Sequence, residues 1–526
     1  MRRLPAALAV LPFLVVPALG ARAAATPVPV FTTTFLAGSS GSSEPRAAIS
    51  DQGVHWITTN AKNGDESVYR STDGVIWKTV ARPGNQTSPT TDVDVVVMPS
   101  GRVLTSELDF AGINFITHFS DDQGKTWVQS QGTTYADTDR QWFAVGPRVG
   151  DERGPRVYML YHNLLSGLGQ HNMFVATSKD GGESFGVPVP VAIPPQQDYL
   201  DLQCADSGGP SNIVVNQRTG KVSVVFGSRS SPVGGCAANP VEVNVVAANR
   251  VWVVSADPDK TETVGGWKPS LAVDDTAKGR ITGMQLAPGA VGDDGTFYVA
   301  YPESLHDYPN YDGAAIKVVH SKDLTTWSAP LTVAASGGTG NILPHIVAGS
   351  AGRIGLAYYH GLADKTWVSQ AAYVPDALSA QPHVTTIPLS KVVVEKGSAS
   401  ELMGACMQGT TATLNGFACG RSTDVNGIAM DRCGRLLLTW PAQAGLKATD
   451  GTYASMQTSG PRLRTRVCAS SVTPPKVVPP KVNPPTTGQH GGGGQGLAAT
   501  GASSALALTA LVLLGAAVAV RRRRIG

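Results

Sequence analysis

Five stretches of the chain combine the side chains that handle sugars and protons. They are Asp139-Arg140-Gln141-Trp142, Gln197-Asp198-Tyr199-Leu200-Asp201, the run from Glu303 through His306 to Asp312, His360, and the pair Arg421 and Asp424. Aromatic rings cover the flat faces of sugars, and carboxylates accept from their hydroxyls, so loops of this composition suit a carbohydrate site. Candidate binding residues are Asp139, Arg140, Trp142, Asp201, Glu303, His306, His360 and Asp424. Other chemistries lack their context. Gly182-Glu183-Ser184-Phe185-Gly186 fits a nucleophile-elbow pattern, but no strand-to-helix turn is expected there. No His-Glu-x-x-His or phosphate-binding glycine loop occurs, and the ten His are scattered, so no metal site is expected. No cofactor is expected, while a structural calcium stays open.

These stretches must be held by something rich in turns. Of 526 residues, 59 are Gly and 36 are Pro, and only 15% are charged. That composition disfavours long helices, coiled coils and polybasic surfaces. Two kinds of repeat supply the architecture. One is a short box: Ser71-Thr72-Asp73-Gly74-Val75-Ile76-Trp77, Ser120 to Trp127, Ser178 to Phe185 and Ser321 to Trp327, with Ser255-Ala256-Asp257 as a degenerate fifth. Each box lies between two β-rich runs and reads as a hairpin turn. Asp73, Asp122, Asp180 and Asp323 cap the turn N–H groups, Gly takes the positive-φ position, and the aromatic is expected to pack back on its own hairpin.

The second repeat is an apolar hairpin upstream of each box. It begins near Ala47, Val95, Phe143, Ile213, Leu286, Ile346 and Ile428. An inner hairpin plus an outer, boxed hairpin makes four strands, one blade of a propeller. The reading is all-β, a seven-bladed β-propeller with six blades as the alternative. The last unit lacks a fourth strand, which Val28–Phe35 could supply. Blade four, at about 198–275, lacks a clean box. The loops entering the inner strands should converge at one mouth, with the boxes at the other side.

The ends carry an address. Arg2 and Arg3, an apolar run and Ala-x-Ala sites make 1–25 a signal peptide. The propeller occupies 26–470, and 471–496 is a Pro/Gly-rich spacer. In 497–526, Leu497-Ala498-Ala499-Thr500-Gly501 precedes an apolar span, 502–520, and four Arg. This order resembles the cell-wall sorting signal of actinobacteria. That resemblance implies a sortase cut between Thr500 and Gly501, attachment to peptidoglycan, and an extracellular, wall-anchored protein with a membrane-bound precursor. Without its ends the chain carries 35 basic and 39 acidic residues, so nucleic acid is not an expected partner. A monomer is expected. Six Cys without any Cys-x-x-Cys pair suggest disulfides, Cys204–Cys236 first.

The boxes resemble the Asp-boxes, or BNR repeats, of sialidases, over roughly Arg46–Arg462. The resemblance implies that the boxes are structural. It also implies an arginine grip on a sugar carboxylate, a Tyr nucleophile and an Asp acid. Arg46 stands where the first Arg belongs, without the family's following Ile-Pro. Asp65 stands at the acid's place, Arg229 is a match for a second Arg, and Tyr358 or Tyr359 for the nucleophile. No third Arg matches. The expected function is a sialidase-like propeller that engages extracellular glycans or glycoproteins. It is either an exo-sialidase or other glycoside hydrolase or lyase, or a non-catalytic adhesin. A carboxylate pair with a raised pKa in the funnel would favour the enzyme, and an open aromatic face the adhesin.

Overall fold

The computed structural model describes residues 27–465 except 61–66, 86–89, 110–113, 133–137, 164–171, 205–209, 231–247, 279, 281, 283–285, 305, 307–311, 400–425 and 443–449. The expected signal peptide, spacer, sorting signal with Thr500 and Gly501, and apolar span lie outside the described residues, as do Asp65 and Asp424. Among the described residues no helix is long and apolar enough to cross a membrane.

Strand β1 (Val30–Phe35) opens the chain. Blade one is β2 (Arg46–Ile49), β3 (His55–Thr58), β4 (Val68–Ser71) and β5 (Lys78–Thr79). Blade two is β6 (Thr90–Val97), β7 (Val103–Asp109), β8 (Asn114–Ser120) and β9 (Val128–Gln129). Blade three is β10 (Thr138–Val145), β11 (Val157–Asn163), β12 (Met173–Ser178) and β13 (Val189–Pro190). The short helix α1 (Gln197–Leu202) leads into blade four: β14 (Asn212–Val215), β15 (Val222–Ser228), β16 (Arg250–Ala256) and β17 (Lys268–Asp274). Blade five is β18 (Gly289–Val291), β19 (Phe297–Glu303), β20 (Ala315–Ser321) and β21 (Leu331–Ala334). Blade six is β22 (Gly340–Ala348), β23 (Ile354–Gly361), β24 (Thr366–Val374) and β25 (Thr385–Lys396). Blade seven is β26 (Gly427–Met430), β27 (Leu436–Ala442) and β28 (Gly451–Ser459), completed by β1.

Every sheet has four antiparallel strands in chain order, except the last, whose order is β1-β28-β27-β26. Consecutive inner strands pack side by side from β2 round to β26, and β26 packs on β2, so the ring is closed. The protein is a seven-bladed β-propeller. Blade four is complete although its box is degenerate: Asp257 pairs with Lys221 (2.9 Å) instead of capping its turn. The N-terminal strand supplies the missing fourth strand of blade seven, as the sequence suggested.

Both faces of each blade are covered by its neighbours, so most strands read as near-continuous apolar runs. Seven buried clusters fill the seven clefts between blades. The boxes contribute to these clefts, which corrects one expectation. The ring of Trp77 joins the cluster between blades seven and one, Trp127 that between one and two, and Phe185 that between two and three. The Trp127 and Trp327 indoles donate to Ala81 O (2.8 Å) and Ser270 Oγ (2.9 Å), each in the preceding blade. The box aromatic therefore clamps the neighbouring blade as well as its own hairpin. The carboxylates behave as expected. Asp122 accepts from Lys125 N, Thr126 N and Thr126 Oγ1, and Asp73, Asp180 and Asp323 do the same in their turns. Gly74, at φ 76°, has no room for a side chain: a Cβ would sit 2.7 Å from Met456 Cγ of blade seven.

Cys204 and Cys433 are disulfide-bonded. Cys236, the expected partner of Cys204, lies outside the described residues.

Candidate functional site

In a four-stranded meander, the loops into the first strand and those from second to third strand open on one face. The box turns close the opposite face. The first face is the mouth, and its inner strands are irregular there. The ladders of β6, β10 and β22 each shift register at their mouth end, between Thr90 and Val93, Asp139 and Trp142, and Ile342 and His345. Glu44, Arg140 and Leu343 adopt left-handed backbone at φ 53°, 53° and 52°. Bulges and strained residues of this kind gather where a chain re-aims side chains for function.

Below the bulges lies an axial cavity of about 170 Å³, lined from all seven blades. Arg46 enters it from β2, its guanidinium 3.8 Å from the centre of the Trp142 ring. Arg46 Nε lies 3.7 Å from Asp94 Oδ1. Asp94 also accepts from Val95 N (2.9 Å) and, across the cleft, from Phe143 N (2.7 Å). Burial raises the Asp94 carboxyl and lowers the Arg46 guanidinium, each opposed by the other's charge. Asn212 makes the same kind of bridge between blades four and five: it donates to Gly289 O and accepts from Gly289 N, both at 2.8 Å. His345 is buried on the wall, and its Nε2 has no hydrogen-bond partner among the described residues. Burial, and then the charge of Arg46, hold its imidazole well below the ordinary value, so it is neutral.

The carboxylates meet above this cavity. Asp92, at the bulge of β6, interacts with Asp139, at the bulge of β10, and with Glu44, just ahead of β2. Burial pushes the Asp92 carboxyl well above the carboxylate range, and the charges of Asp139 and Glu44 push the same way. Burial also opposes ionisation of Asp139. There, however, the hydrogen bond and charge of His162, the charge of Arg140 and a hydrogen bond from Asp92 prevail, and the carboxyl stays well below its ordinary value. Asp139 Oδ1 accepts from Arg140 N (2.9 Å), and Oδ2 lies 3.4 Å from His162 Nε2. The Asp139 side chain keeps 24% of its exposure, so solutes can reach it. Two adjacent carboxyls are therefore pushed in opposite directions, Asp92 toward its protonated form and Asp139 toward its ionised form.

Of the expected mouth residues, Arg46, Asp139 and Arg140 come together, with Trp142 beside them. Trp142 is no open platform, since it is 2% exposed, covered by Arg46 and bonded through Nε1 to Pro210 O (3.0 Å). Asp201 does not join them. Its carboxylate holds Arg250 Nη1 (2.8 Å), Trp252 Nε1 (3.1 Å) and Gln197 Nε2 (2.7 Å), which fastens α1 to blade four. Arg229 follows the end of β15 on the mouth side. Glu303 is buried among Lys278, Arg280 and Lys317 at the rim of blade five. His306 N bonds to Ser304 Oγ (3.1 Å), and His360 Nδ1 pairs with Asn341 Oδ1 (2.8 Å). Tyr358 lies in the cleft between blades five and six and donates to Gln370 Oε1 (2.8 Å), so it serves the core there.

The sequence reading passed over Asp92, Asp94, His162 and His345 and gave Glu44 no role. The alternation Asp92-Val93-Asp94-Val95 held a usable signal: charges at the mouth end of an inner strand, level with Arg46 and Asp139.

No family model matches the sequence, and no curated protein matches it. Solved structures with a similar architecture include a polysaccharide lyase, an ulvan lyase bound to -[GlcA(1-4)Rha3S]-. It has 10% identity and a TM-score of 0.49, over 80% of this chain and 95% of that one. Another is a Hadza microbial sialidase, with 11% identity and a TM-score of 0.40 over 76% and 75%. A third is an alpha-L-arabinofuranosidase of Fusarium graminearum with arabinobiose, with 13% identity and a TM-score of 0.40 over 70% and 92%.

Proposed function

We propose that the protein cleaves extracellular glycans by acid–base chemistry at the propeller mouth. Asp92 would donate its proton to the leaving glycosidic oxygen, while Asp139 would take the proton of the water that attacks the anomeric carbon, or, in elimination, the proton alpha to a uronate carboxylate. The observation that carries this reading is a pair of adjacent mouth carboxyls, Asp92 and Asp139, whose surroundings push them in opposite directions, Asp92 toward the protonated form and Asp139 toward the ionised one. The two carboxyls are hydrogen-bonded neighbours. They form one acid–base unit on one side of the substrate, unlike the separated carboxylates of a two-sided glycosidase. The axial cavity supports a ring-sized ligand: a cavity of about 150 Å³ holds a benzene ring, and this one is about 170 Å³ and polar. The adhesin reading loses support because the described aromatics at the cavity, Trp142 and Phe143, are both buried.

The test is turnover of a panel of neutral, sialylated and uronate-containing glycans by the purified protein. New reducing ends without an unsaturated product mark hydrolysis, and an unsaturated uronate chromophore marks elimination. Binding without either, in a protein that Asp92→Asn leaves unchanged, would favour the adhesin.

We further propose display on a bacterial cell wall. The signal-like 1–25 and the Leu497–Gly501 sequence with its apolar run and Arg tail support it. Thr500→Ala should move the protein from the wall fraction to membrane or medium, and retention in the wall would reject sortase attachment.

A further inference from the structure

The Asp92–Asp139 unit has a direction, and its surroundings suggest what sets it. Asp139 pairs across the β10–β11 ladder with His162. The imidazole of His162 is wholly buried, and its Nε2 stands 3.4 Å from Asp139 Oδ2. The other oxygen of Asp139 takes the N–H of Arg140, which the left-handed turn at φ 53° aims back at it. One oxygen of Asp139 thus accepts a main-chain N–H, and the other faces the His162 ring. Asp92 has a different environment. Its side chain meets two carboxylates, Glu44 from ahead of β2 and Asp139 from β10, whose charges oppose its ionisation, while the charge of Arg140 favours it. The neighbouring Arg46 is engaged by Asp94 and Trp142.

We infer that His162 is a positioning residue for this unit: from across the ladder it fixes the negative charge on Asp139 and so leaves the shared proton on Asp92. It touches no substrate, because it lies behind Asp139 and is closed off from the funnel. The physical reason is the competition between two like charges in one site. Only one can ionise cheaply, and the carboxyl with the better donors does so. The Glu44, Asp92 and Asp139 carboxyls, with Arg46, Arg140 and His162, are the titratable and charged groups that act on one another at this point. The charge of Arg140 acts on both Asp92 and Asp139, whereas His162 stands against Asp139.

This inference rests on the acid–base reading of the mouth, but its test needs no substrate. The full protein is labelled with carboxyl-¹³C aspartate, and the two signals are assigned with Asp92→Asn and Asp139→Asn. In the wild type the Asp92 signal should titrate above the ordinary carboxylate range and the Asp139 signal below it. His162→Leu should raise the Asp139 midpoint by about one pH unit or more, about tenfold in acid dissociation, and lower that of Asp92. His162→Gln, which keeps a polar N–H facing Asp139, should fall between. An unmoved Asp139 midpoint in a folded His162→Leu protein overturns the inference. A second measurement covers a failure to fold: in ¹⁵N-histidine protein, Asp139→Asn should shift the ring nitrogens of His162, and unchanged signals overturn the inference equally. Absence of turnover on every glycan would reject the catalytic reading, while these titrations would still decide the role of His162.

Discussion

The indole N–H of Trp127 donates to the main-chain oxygen of Ala81, 46 residues earlier and one blade back. Trp327 repeats the relationship with Ser270. The box is thus a device with two ends. Its Asp closes the turn within the blade, and its aromatic reaches out of the blade.

The two ends should be separable by mutation. Trp127→Phe should cost about 1 kcal/mol, one net hydrogen bond, and Trp127→Ala about 2–4 kcal/mol through lost packing as well. Asp122→Ala should cost about 1 kcal/mol for the lost turn cap. Urea unfolding reads all three, and glycan binding at the opposite face should be unaffected.

His118, buried on β8, has its imidazole pushed down to about 4 by burial. Its folded value lies below the unfolded one, so the unfolded chain takes up the proton first. Stability is fully present above about pH 6.5 and is lost as pH falls from there toward 4. Between pH 6.5 and 5 the loss from this group is about 2 kcal/mol. His118→Phe should flatten that part of the curve of unfolding free energy against pH, and an unaltered slope would refute the assignment.

Asp92→Asn keeps the shape and removes the transferable proton. Turnover of the cleaved glycan should fall by about 10²–10⁴-fold with little change in melting temperature. Asp139→Asn should have a similar effect on turnover, since the two act as one unit. Steady-state kinetics with a thermal melt for each variant separates lost chemistry from lost fold.

Arg46 contributes to stability as well as lining the cavity. Its removal leaves Asp94 buried and uncovers Trp142, so Arg46→Ala should cost about 3 kcal/mol. Arg140→Ala leaves both of those contacts in place and should cost less. Denaturant midpoints for the pair decide the order.

The propeller was legible in the sequence because each blade repeats a local pattern: apolar hairpin, turn, apolar hairpin, box. Even the borrowed strand at Val30–Phe35 could be placed, because blade seven visibly lacked one. The site was less legible. Arg46, Asp139 and Arg140 announced themselves as charges ahead of apolar strands. Asp92 and His162 did not, because their significance lies in meeting Asp139 from another blade and another strand, and periodicity carries no information about such meetings. Asp201 shows the converse: a carboxylate at the right place in the chain whose charge is spent on Arg250. The bulges that re-aim Asp92 and Arg140 leave no mark in composition.

Blade seven is sewn from both ends of the propeller, with Thr33 on β1 and Ser455 on β28 lying 422 residues apart. At synthesis rates of about 5–20 residues per second, that separation is roughly 20–80 s of elongation. For all that time six blades can form while the ring stays open and the N-terminal strand waits unpaired. The closure is thus also a timer: the mouth, which needs β26 beside β2, cannot assemble until β26, near the end of the propeller, has been made. Any activity of the site would begin only once the last blade has been made.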